Sequence, residues 1–135
     1  MKKTAAFSYS KQEKLKKKKI IDVLFTEGKT VTKYPLRLVY VKVNEAEAPL
    51  QMGVSVSKRY FKRAVDRNYF KRLLRETYRL NKSILMKHIE NGSEKYACMF
   101  FYQTKERLTF SEINEKTAIL FQKFIEQTRQ NNISH

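Results

Sequence analysis

Residues 62–80, KRAVDRNYFKRLLRETYRL, restrict the fold of this chain more than any other stretch. Placed at 100° per residue from Arg67, the basic positions Arg67, Lys71, Arg75, Arg79 and Arg72 fall between about 0° and 140°, with Asn68 among them. Tyr69, Phe70, Leu73, Leu74 and Leu80 fall between roughly 200° and 340°. Such a segment is a helix with two different needs. Its apolar side has to be buried against a sheet or another helix. Its cationic side, diluted only by Tyr78 and bordered by Glu76, has to face outward. Like charges at i,i+4 destabilise an isolated helix by about 0.2–0.5 kcal/mol per pair. The stripe therefore makes physical sense where a partner supplies negative charge.

The remaining segments predict what this helix packs on. PLRLVYVKV, residues 35–43, alternates Leu36, Leu38 and Tyr40 against Arg37, Val39 and Val41, the pattern of a strand. QMGVSVS at 51–57 predicts a second strand, KYACMFFYQ at 95–103 a third, and KTVTK at 29–33 a short strand ahead of them. Ser10 and Glu13 have capping-box spacing, which predicts a first helix running from Ser10 to Glu27. Leu15, Ile20, Ile21, Leu24 and Phe25 form its apolar side, and Gly28 is expected to end it in a left-handed cap. The basic helix is expected from about Ala64 to Asn81, with Asp66 favourably near its positive end. KSILMKHIENG either continues it or makes a separate short helix ending at Gly92. Thr109 and Glu112 form a second capping box, opening a last helix through Ile113, Leu120, Phe121, Phe124 and Ile125. The order α-β-β-β-α-β-α predicts one α+β domain over residues 10–128, with a flexible tail at 1–9 and a frayed end at 129–135.

Charge narrows the function. The 135 residues carry 29 Lys plus Arg against 13 Asp plus Glu, a formal net charge of +16. Such an excess attracts polyanions over long range. Three readings of the basic arc stand: a solvated face, a helix lying on a membrane, and a phosphate-binding face. A solvated face usually mixes signs, and a membrane helix needs its apolar side for lipid. The planar fork of Arg, which outnumbers Lys on the arc, suits bidentate phosphate contacts. The lone cysteine, Cys98, lies in an apolar run and reads as a small core residue; one cysteine makes no internal disulfide and no Cys-based zinc site. MKKTAAF resembles the start of a secretory signal, yet SYSKQEKLKKKK follows where an apolar segment should stand. No stretch is long enough to span a bilayer, so a soluble, cytoplasmic protein is expected. The two histidines, His88 and His135, are poorly placed to act across one scissile bond, and the acids occur singly beside basic residues. The expectation is a binding protein with no catalytic residue and no metal site of its own.

RNYFKRLLRE, residues 67–76, resembles the Arg-Asn-basic-x-Lys-Arg-x-x-Arg-Glu signature of the protein subunit of bacterial ribonuclease P. MGVSVSKRYFKRAVD before it, KLKKKKIIDVLFTEGK and KYACMFFYQ resemble the strand and basic loop just before the signature, the first helix and the last strand of that family. The likeness covers most of residues 10–125 in the same element order. It implies an α/β sandwich in which the helix between the last two strands makes a left-handed crossover. It also implies that catalysis belongs to an RNA subunit that uses Mg²⁺ to cut precursor tRNA at the mature 5′ end. Carried onto this chain, Lys62, Arg63, Arg67, Asn68, Lys71, Arg72, Arg75 and Arg79 are expected to face the RNA subunit. Phe25, Tyr40, Ser55, Ser57, Lys58 and Arg59 are expected in or beside a cleft for the 5′ leader of the precursor. Two positions depart from the pattern: Tyr69 stands where the family usually has Arg or Lys, and Ile21 where other members have an aromatic. On the wheel Tyr69 falls in the apolar arc and is expected to pack or stack. The competing readings are a ribosomal or RNA-assembly protein and a metal-dependent nuclease acting alone.

Overall fold

Strand alternation gives each strand two apolar or semi-polar faces, and the register sorts them. The computed structural model describes residues 9, 13–44, 48–90 and 94–133, residues 90 and 130–133 by backbone alone. Its elements are α1 (Lys18–Glu27), β1 (Lys29–Lys33), β2 (Leu36–Val43), β3 (Leu50–Val56), α2 (Ala64–Glu90), β4 (Lys95–Tyr102) and α3 (Phe110–Ile133). The sheet order is β1-β2-β4-β3, with β1/β2 and β2/β4 antiparallel and β3/β4 parallel. Helix α2 is therefore the crossover between two parallel neighbours, the unit to which the resemblance assigns an uncommon left hand.

Leu36, Tyr102 and Val56 lie in one row across the sheet, followed by Leu38, Phe100 and Val54, then Tyr40, Cys98 and Met52. These rows pack on α2 and α3 and form the main core with Phe70, Leu74, Tyr78, Leu120, Phe121 and Phe124. The opposite face carries Arg37–Phe101–Ser55, Val39–Met99–Gly53 and Val41–Ala97–Gln51. Ile20 and Leu24 of α1 pack there on Val39 and Ala97, together with Leu15. Because α2 and α3 cover one face of β4 and α1 covers part of the other, YACMFFY reads as a nearly continuous apolar run. Each fully buried Leu or Phe contributes about 1.5–3 kcal/mol. Phe61, Phe70 and Tyr102 stack in series at 4.7 and 4.6 Å, tying the loop after β3 to the first turns of α2.

The ends of the helices depart in part from expectation. The first helix begins at Lys18, and its N-cap, Lys17, makes no side-chain cap bond. Ser10, and with it the expected capping box, lies outside the described residues, whereas Glu13 is described. Its carboxylate is buried, 2.6 Å from Lys82 Nζ, and accepts the Tyr78 hydroxyl at 2.9 Å. Beside it, Lys14 bridges Met52 and the Leu15 N–H donates to the Met52 carbonyl at 3.3 Å. Gly28 is not left-handed, with φ −69° and ψ 148°. Glycine is required there by close approach: a Cβ would collide with the Leu24 carbonyl and lie 2.7 Å from Val39 Cγ1. Helix α2 is continuous to Glu90, while Gly92 lies outside the described residues. At the ends, Tyr9 packs edge-on against Tyr78 at 5.2 Å, and α3 runs to Ile133. The box at Thr109 forms as expected: its N–H donates to Glu112 Oε1 at 2.8 Å and the Glu112 N–H returns a bond to Thr109 Oγ1 at 3.2 Å.

Candidate nucleic-acid interface

The orientation of α2 about its own axis decides which cations reach solvent. Phe70, Leu74, Thr77 and Tyr78 are fully buried, which centres the buried arc near 330°, about 60° from the apolar arc of the ideal wheel. The cause is tertiary. The sheet takes one flank of α2, and α3 takes another through the Thr117–Thr77 hydroxyl bond at 3.1 Å and the Asn81–Asn114 amide bond at 2.9 Å. The segment carrying Glu13 claims Tyr78. Tyr78, placed by the wheel in the basic arc, is thus a core residue. Tyr69, placed by the wheel in the apolar arc, is 42% exposed.

The expected RNA-facing set divides accordingly. Asn68, Arg72 and Arg75 are exposed on one side of α2, with Lys71 half-buried at its margin. Lys62 is exposed just before the helix. Arg67 turns Nη1 inward to the carbonyls of Phe61 and Lys62, at 2.9 and 2.7 Å, so it holds the loop-to-helix entry. Arg63 pairs with Asp66 at 3.3 Å and Arg79 with Glu76 at 2.6 Å, so neither presents an uncompensated charge. Among the described residues, no ion pair involves Lys58, Arg59, Lys62, Lys71, Arg72 or Arg75. Val65, Asn68, Tyr69, Arg72 and Arg75 line an open groove along this side of the helix.

On the opposite face of the sheet, α1 leaves the last row uncovered by its buried residues. Phe25 is 59% exposed there and meets Phe101 edge-on at 6.3 Å. Phe101 lies beside Ser55 in the register, and the Arg37 guanidinium sits 5.6 Å from its ring centroid. Just beyond β3, Ser57 closes a turn: its Oγ accepts the Arg59 N–H at 3.0 Å and its carbonyl accepts the Tyr60 and Phe61 N–H groups. Lys58 and Arg59 project from that turn into solvent. Phe25 and Ser55 are therefore on one side of the sheet, with Lys58 and Arg59 exposed in the loop that Ser57 shapes just beyond β3.

Tyr40 does not join them. It shares the face of Leu36 and Leu38, is 3% exposed, packs on Phe124 at 4.8 Å and accepts the Gln127 side-chain N–H at 2.6 Å. Alternation correctly grouped it with the leucines, and that group faces α3 rather than α1. Phe101 and Arg37 occupy the open row instead. The alternation of Met99 and Phe101 against Cys98, Phe100 and Tyr102 was a usable signal for Phe101. Arg107, which pairs with Asp66 at 3.2 Å and lies 5.3 Å from the Phe70 ring, had no local signal.

Cys98 is fully buried, and burial pushes its thiol well above the ordinary range, leaving it protonated and inert. His88 hydrogen-bonds Thr128 at 2.8 Å, and burial followed by the Arg129 charge lowers its pKa from 6.5. Among the described residues no group of three or more His, Cys, Asp or Glu is placed to hold a metal ion, and no helix is long and apolar enough to cross a membrane.

Comparison with known proteins gives a consistent answer. The family model for Ribonuclease P matches residues 9–125. The ribonuclease P protein component of Porphyromonas gingivalis is 43% identical over 105 residues, covering 77% of this chain and 76% of the relative. That of Dictyoglomus turgidum is 34% identical over 119 residues, covering 84% and 96%. Among solved structures, the RNase P protein from Thermotoga maritima shares the fold at TM-score 0.65 and 22% identity, covering 82% of this chain and 96% of that one. The Staphylococcus aureus RNase P protein does so at TM-score 0.63 and 19% identity, covering 83% and 94%. With a family match across most of its length and relatives this similar, the chain belongs to the ribonuclease P protein component family.

Proposed function

We propose that this chain binds the catalytic RNA subunit of ribonuclease P and the 5′ leader of precursor tRNA, assisting endonucleolytic removal of the leader in the cytoplasm. Hydrolysis itself, with Mg²⁺, belongs to the RNA. The observation that carries this reading is the exposure of Asn68, Arg72 and Arg75 on one side of α2, with neither arginine in an ion pair among the described residues. Phosphates supply the counter-charge, and each one neutralised releases counterions, worth about 0.7–0.9 in the slope of log affinity against log salt. Lys62 and Lys71 extend the same field. On the other face, Phe25 and Phe101 offer rings to an unpaired strand, with Arg37, Lys58 and Arg59 beside its phosphates and Ser55 as a small polar floor. Base stacking of this kind contributes about 1–3 kcal/mol per base and tolerates varied sequence, as leaders require.

Reconstitution tests the reading. Added to a bacterial ribonuclease P RNA at low Mg²⁺, the protein is expected to restore correct cleavage of precursor tRNA, and alone to cleave nothing. Specific cleavage by RNA-free protein, or no stimulation of the RNA, overturns it. For the leader cleft, Phe25→Ala is expected to weaken binding of precursor tRNA about 5- to 150-fold while sparing mature tRNA. An equal loss for both removes Phe25 from the cleft.

A further inference from the structure

Tyr69 is an exposed ring in the middle of a cationic surface, and its surroundings are fixed. It is braced edge-on by Phe70, whose centroid is 5.0 Å away at 90°. Phe70 is itself locked in the stack between Phe61 and Tyr102. Arg107, held by Asp66, lies 5.9 Å from the Tyr69 centroid, and Arg72 lies 6.0 Å from it. Those distances are at the outer edge of cation–π attraction. A guanidinium in van der Waals contact would sit at about 3.5–4 Å, so neither fills the ring's stacking space. Val65, one turn earlier, is 61% exposed and adds a second apolar wall. Asn68 lies between them in sequence, and Arg72 and Arg75 complete the same groove. An aromatic wall, an aliphatic wall, one amide and two guanidiniums match the parts of a nucleotide: a π face, a polar edge and phosphates.

We propose that this groove takes one unpaired nucleobase of the partner RNA, stacked on Tyr69 against Val65, with Asn68 at the base edge and Arg72 and Arg75 on the flanking phosphates. The inference rests on reading this side of α2 as an RNA face. It replaces the phosphate contact of a basic signature residue with a contact to a base. Stacking neutralises no phosphate, so Tyr69 contributes affinity without contributing to the salt slope.

The chain contains no tryptophan, so Tyr69→Trp places a single indole in the groove. Titrated with a bacterial ribonuclease P RNA, its emission is expected to be quenched at saturation. Tyr69→Leu is expected to lose affinity for the same RNA by roughly 5- to 150-fold, with an unchanged salt slope, and Tyr69→Phe to keep it. Wild-type affinity in Tyr69→Leu, or unchanged indole emission in the RNA complex, overturns the base site. Arg72→Ala with Arg75→Ala, measured alongside, separates the two levels. Loss there with full affinity in Tyr69→Leu leaves the RNA face standing without its base site, whereas full affinity in both variants removes the face itself.

Discussion

His88 shows how packing between two helices sets the chemistry of a single side chain. Far from acting across a scissile bond, it donates or accepts a hydrogen bond with Thr128 and meets Phe124 edge-on at 6.3 Å. Its folded pKa is held below 6.5 by burial first and by Arg129 second. The unfolded chain takes up that proton at about 6.5. The neutral ring's contribution is therefore complete above that pH and declines as pH falls below it, because the unfolded state then binds more protons. Urea unfolding is expected to show a lower midpoint at pH 5.5 than at pH 7.5, and His88→Gln, which keeps a partner for Thr128, to shrink that difference. An undiminished difference in the variant assigns the effect elsewhere. Tyr40, Tyr69 and Tyr78 carry the same lesson for aromatics. Their residue type announced a ring at each position, while neighbours far along the chain chose between core and surface.

Among the elements, the segment at residues 13–15, a 3₁₀ position at Glu13 followed by a bridge at Lys14, is the least expected and the most consequential. It lies along β3 through Met52 and inserts Glu13 between Tyr78 and Lys82. Removing one member of a buried ion pair costs about 3–5 kcal/mol, because the other charge stays behind. Lys82 has a side chain only 7% exposed, so Glu13→Ala is expected to fall in that range in chemical unfolding. Glu13→Gln combined with Lys82→Met is expected to recover most of the loss. A loss below about 1 kcal/mol in Glu13→Ala would show that the pair is not structural. The capping box at Thr109 is realised, with Glu112 accepting the Thr109 N–H and returning its own N–H to Thr109 Oγ1.

For the whole molecule, the charge of +16 is distributed rather than merely present. Arg63, Arg79 and Arg107 spend their charge on Asp66 and Glu76, and Arg67 on carbonyls. Arg72 and Arg75 remain for a partner. Replacing both by alanine is expected to reduce the salt slope of RNA binding by about 1.4–1.8, at 0.7–0.9 for each lost phosphate contact, with thermal unfolding little changed. An unchanged slope removes them from the interface.

Element order, the pairing of residues on each strand face and the existence of a two-sided basic helix were legible from the chain, because periods of 2 and 3.6 are local properties of the backbone. Which face of the sheet met α1, how far α2 turned about its axis, and where Glu13 and Arg107 found their partners were decided only by packing. Those choices depend on contacts between segments tens of residues apart, and no local pattern encodes them. The signature therefore announced a cationic helix, and the tertiary structure selected Asn68, Arg72, Arg75 and the ring of Tyr69 as its outward surface.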